Sequence, residues 1–87
     1  VFFFLEIIMI HTLHKASIFI NRDVYAEKIS ELAFYDVHEK ATINAINTSQ
    51  EYVKDVVCET ATFFVMEEAN QFIKEMANYF GEENVIV

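Results

Sequence analysis

Apolar residues alternate with polar ones in some stretches of this chain and recur every three or four residues in others. The stretch Val56 to Val87, VVCETATFFVMEEANQFIKEMANYFGEENVIV, carries both patterns. Its first part reads as a strand, with Val57, Ala61, Phe63 and Val65 on one face and Cys58, Thr60, Thr62 and Phe64 on the other. Glu67 and Glu68 then open a helix, because acidic side chains stabilise the positive end of the helix dipole. Gly81, the only glycine, closes that helix, since it alone takes a left-handed cap without steric cost. Asn84 to Val87, NVIV, returns as a short buried strand.

A second pattern competes over the same residues. Core-type pairs recur every four positions at Tyr52–Val53, Val56–Val57, Thr60–Ala61, Phe64–Val65, Phe72–Ile73 and Met76–Ala77, and Thr48 with Glu51 makes a capping box. Tyr52 to Ala77 would then be one long helix. A strict four-residue repeat drifts by roughly 40° per repeat against a 3.6-residue helix, so one face cannot stay buried along it. VVCETATFF is also rich in β-branched and aromatic residues. Strand-then-helix is the favoured reading.

Upstream, Lys15 to Ile20, KASIFI, alternates and reads as a strand. Asn21 supplies a helix N-cap, and the helix runs to about Tyr35 with Tyr25, Ile29, Leu32 and Ala33 as its buried stripe. Tyr35 to Lys40, YDVHEK, is a polar break; Ala41 to Asn47, ATINAIN, alternates as a half-buried strand; Thr48 to Asp55 is a loop or a short capped turn. The order strand, helix, strand, strand, helix, strand predicts an α+β domain with the split βαβ arrangement of a ferredoxin-like fold. The first and third strands are central, and both helices cover one face. The other face carries Thr60, Thr62, Thr42 and Asn44 beside Phe64 and Met66, a mixed surface suited to a partner. The alternative fold is mainly α, a long helical hairpin with a short β element from the two termini.

The first twenty residues are the most apolar, but Glu6, His11, His14 and Lys15 interrupt them, so a core strand with an extension is expected rather than a membrane span. There is no basic start or small-residue cleavage site of a signal peptide. Leu5 and Glu6 can be encoded as TTG GAG, a ribosome-binding GGAG two codons before Met9. Translation is therefore expected to start at Met9, with residues 1–8 as an extension and Met9 to Val87 as the compact domain.

Composition sharpens the partner question. A single domain of 87 residues buries only about 60% of its unfolded surface. The 54% hydrophobic content, nine Phe and four Tyr exceed what such a monomer easily hides, so a homodimer or a docked protein partner is expected. The net charge of −8 argues against direct nucleic-acid binding and against anionic membranes. The lone cysteine, Cys58, cannot form an internal disulfide, which suits a cytoplasmic protein.

Candidate chemistry is sparse. The chain has no P-loop, GxGxxG, paired cysteines or HExxH, so no enzyme activity, cofactor or metal is expected. His11 and His14 would need a third ligand such as His38, Glu39 or Glu6, and Asp36, His38 and Glu39 cluster without a nucleophile. Glu51, Asp55, Glu59, Glu67 and Glu75 are separated by multiples of four, which on a long helix puts carboxylates about 6 Å apart, near the phosphate spacing of nucleic acid. The leading expectation is a small acidic non-enzymatic interaction domain, homodimeric, binding through Thr60, Thr62, Phe64 and Met66 or exposed aromatics. The alternatives are a small-ligand-binding regulatory domain and a phage-type inhibitor that mimics nucleic acid through Glu51, Asp55 and Glu59.

Overall fold

In the computed structural model, which describes residues 13–87, β1 spans His14–Asn21, with Ala16, Ile18 and Ile20 buried on one face. Met9, His11 and Glu6 lie outside the described residues, and with them the proposed start site and the His11 ligand pair. Asn21 caps the next helix as expected: its Oδ1 accepts from the amides of Asp23 at 3.0 Å and Val24 at 3.2 Å.

The expected single helix is two. α1, Arg22–Lys28, stops at Ile29, and α2, Leu32–Thr42, begins after a tight turn in which Ser30 Oγ donates to the Glu27 carbonyl at 2.7 Å. The break resets the helical phase. Tyr25 is buried, but Leu32 is 87% exposed and Ala33 also faces solvent; Phe34, Val37, His38 and Ala41 turn inward instead. Tyr79 pins the break, its hydroxyl lying 2.7 Å from Glu31 Oε1 and 2.9 Å from the Lys28 carbonyl.

Two further expectations are corrected here. YDVHEK is helix interior, and the strand placed at Ala41–Asn47 is absent: Ala41 and Thr42 end α2, and Ala45 N–H bonds the Thr42 carbonyl in a turn. Thr42 and Asn44 therefore do not lie on the sheet. The strand is instead β2, Asn47–Val53, in the segment read as a loop. A two-residue turn follows, with Lys54 at φ 53°, and Arg22 ties it to α1 by donating from its backbone and side chain to the carbonyls of Asp55 and Lys54.

β3, Val56–Phe63, settles the competition between strand and long helix in favour of the strand. Val57, Glu59, Ala61 and Phe63 are buried on one face and alternate with half-buried Val56, Cys58, Thr60 and Thr62. Val65 and Phe64, expected on the strand's two faces, lie beyond its end and are exposed. α3, Met66–Phe80, buries Ala69, Phe72, Met76 and Phe80 along one stripe. Gly81 ends it at φ 92°, its N–H bonding the Ala77 carbonyl at 2.9 Å. A short turn leads to β4, Val85–Ile86.

The sheet order is β2-β3-β1-β4, antiparallel throughout, with β1 and β3 central. β1 and β2 run parallel with β3 between them, which is the split βαβ arrangement with its first crossover made of two helices. The protein is an α+β domain. The helices cover the face that holds Ile18, Ile20, Val57 and Phe63, and Phe72, Met76 and Phe80 of α3 join them in the core.

Candidate functional site

The strand pairing sorts side chains into rows, because directly opposed residues share a face. On the face away from the helices, Thr62 lies between Asn47 and Lys15, and Thr60 between Ser49 and Ser17. Cys58 lies between Glu51 and Phe19, with Ile86 next across, and Val56 between Val53 and Asn21. Ser17 Oγ and Thr60 Oγ1 hydrogen bond at 3.0 Å, and Cys58 Sγ is 3.6 Å from the same hydroxyl. The middle of this face is thus small and polar, and Phe19, Val53, Val56 and Ile86 make its lower half apolar.

The expected partner residues are only partly brought together. Thr60 and Thr62 sit on this open face. Phe64, 60% exposed, projects from the connection between β3 and α3 and Met66 from the first position of α3, with Val65 between them also exposed. Glu51 is on the open face, Asp55 is in the hairpin turn, and Glu59 is buried on the opposite side of β3. Glu67 and Glu75 lie on α3. The acidic row is therefore broken up, and the regular spacing required for nucleic-acid mimicry does not exist.

Glu59 is the surprise. It occupies a core position of β3, between Gln50 of β2 and Ile18 of β1, yet it is charged and only 5% exposed. Its side chain is 7% exposed, and its nearest charge partner, His38 Nε2, lies 3.7 Å from Oε2, beyond hydrogen-bond reach. Tyr25, Phe34, His38, Thr48, Ser49 and Gln50 enclose a cleft of about 320 Å³ above it. Gln50 Nε2 donates to the Tyr25 hydroxyl. Burial first, then the charge of Glu59 and the neighbouring Tyr52, hold the Tyr25 phenol well above the usual tyrosine range, so it stays protonated. The Tyr25 and Phe34 rings meet edge-on at 6.5 Å, and Phe34 lies 5.2 Å from the His38 ring.

No family model, curated protein or solved structure matches this chain. The site must therefore be read from its own chemistry.

Among the described residues no three His, Cys, Asp or Glu stand close enough to share a metal ion, and no helix is long and apolar enough to cross a membrane. Asp36 and Glu39, grouped with His38 by sequence, face solvent, and His38 alone turns in. Sequence reasoning missed Tyr25, Phe34 and Gln50 as neighbours of Glu59. The available signal was a glutamate at an inward position of an alternating strand, between Val57 and Ala61.

Proposed function

We propose that this protein is a non-catalytic interaction domain that pairs with a second copy of itself through the open face of its sheet. The observation that carries this reading is the charge distribution. The chain bears −8, yet among the described residues the open face holds one lysine, Lys15, and one glutamate, Glu51, which balance. The acidic excess lies instead on α2, with Asp36 and Glu39 against Lys40, on α3, with Glu67, Glu68 and Glu75 against Lys74, and at Glu82 and Glu83 in the turn after α3. Two copies of so acidic a chain approach most easily through the surface that lacks the charge. Phe19, Val53 and Ile86, exposed on that face, supply apolar area to bury. Phe64, Val65 and Met66 extend the exposed apolar surface beyond the end of β3.

Sedimentation equilibrium tests this reading. The wild-type chain should be dimeric, and the double variant Val53→Glu/Ile86→Glu should weaken association by about tenfold or more, because it places like charges in a desolvated contact. Leu32→Glu, an exposed change on α2 on the helix side, should leave association unchanged. A wild-type monomer at high concentration, or equal weakening by Leu32→Glu, would overturn it.

A further inference from the structure

We propose that the cleft floored by Glu59 binds a small organic cation through a primary ammonium group. The cleft opens on the helix side of the sheet, opposite the face assigned to self-association, so this inference does not depend on that one.

A carboxylate withdrawn from water is stable when a donor or a cation compensates it. Glu59 is withdrawn, its side chain 7% exposed, and among the described residues its closest charge partner stands 3.7 Å away. The other polar groups at the rim point to the same kind of ligand. Gln50 Nε2 already donates one N–H to the Tyr25 hydroxyl, and the Gln50 side-chain carbonyl oxygen and the hydroxyl oxygen of Thr48, on the same face of β2, are acceptors beside the cleft. An ammonium group carries three donors and no acceptor, and so matches a site made of a carboxylate and neutral oxygens. The rings of Tyr25 and Phe34 line the same cleft, and aromatic faces attract cations. A metal ion fits poorly, because among the described residues no third His, Cys, Asp or Glu stands near Glu59 and His38. The volume, about 320 Å³, accommodates a short carbon body behind the ammonium. The charge of −8 raises the local concentration of any cation.

The test is a titration of the whole chain with n-butylammonium, followed by backbone amide NMR shifts. Saturable shifts at His38, Gln50 and Glu59 are expected, with a Kd of about millimolar for so small a ligand. n-Butanol, of the same shape without the charge, should bind at least about tenfold more weakly, and Glu59→Gln should weaken butylammonium by a similar factor. Gln50→Lys supplies a second variant that keeps Glu59. Gln50 is exposed on the edge strand, and a lysine there would place its own ammonium opposite Glu59 and exclude the ligand. Shifts that do not saturate, equal binding of n-butanol, or undiminished binding to folded Gln50→Lys would overturn the proposal. Nα-acetyl-lysine amide identifies the source: tighter binding than butylammonium assigns the site to a lysine side chain of a partner, weaker binding to a free amine, and either upholds the ammonium site.

Discussion

Tyr25 and Tyr79 both keep their protons, for different reasons and with different consequences. Tyr25 does so inside the cleft, buried beside Glu59. Tyr79 does so at the break between α1 and α2, where burial, then the hydrogen bond to Glu31 and the charge of Glu31, push its phenol from 10.0 up to about 12. The fold therefore favours the protonated form. Stability from this group is fully present below pH 10 and is lost as the pH rises to about 12, because the unfolded chain releases its proton first. Ionised Tyr79 would also repel Glu31 and loosen the turn that resets the helical phase. Tyr79→Phe should cost about 1 kcal/mol at neutral pH, for the lost hydrogen bond, and should flatten the fall in stability between pH 10 and 12. Denaturant unfolding across that range, compared with wild type, checks both parts.

Helix α3 depends on its ending as much as on its buried stripe. Gly81 sits at φ 92°, and a Cβ there would come within 2.9 Å of Glu83 Oε1 and 3.2 Å of Asn84 Nδ2. Those are side-chain ends that can move, so the backbone conformation sets the cost. Gly81→Ala should destabilise by about 1–3 kcal/mol, and urea unfolding should show it as a lower midpoint with an unchanged slope. This cap was legible in the sequence, as were β1, β3 and α3, because each pairs an apolar period with a burial it achieves. The elements that escaped lack such a match. β2, NTSQEYV, is an edge strand exposed along its length, so it shows no apolar alternation, and its neighbour ATINAIN imitates one. α2 turns inward a stripe that includes His38, and its phase is set by the break at Ile29–Glu31 rather than by the preceding helix. Glu59 could be found only after β3 was accepted as a strand. The residues around it come from α1, α2 and β2, and no spacing along the chain announces their meeting.

Across the whole molecule, β3 separates two surfaces of different character. Cys58 and Thr60 face the neutral open side, and Glu59 between them faces the cleft, so a ligand and a second copy would sit on opposite sides of one strand. Added salt screens the repulsion between acidic helices while leaving the neutral face unaffected, so self-association should not weaken as ionic strength rises. β1 carries a related asymmetry. It is a central strand, bonded to β3 from His14 to Asn21, but among the described residues it meets β4 only at Phe19 and Ile20. From His14 to Ile18, no strand among the described residues lies beside its backbone groups on the β4 side. Ala16 and Ile18 in that segment are buried as side chains, while half of the local peptide groups have no strand partner among the described residues. In deuterated water, the amides of His14–Ile18 that point away from β3 should exchange much faster than those that point toward it, an alternation within one strand that backbone NMR resolves residue by residue.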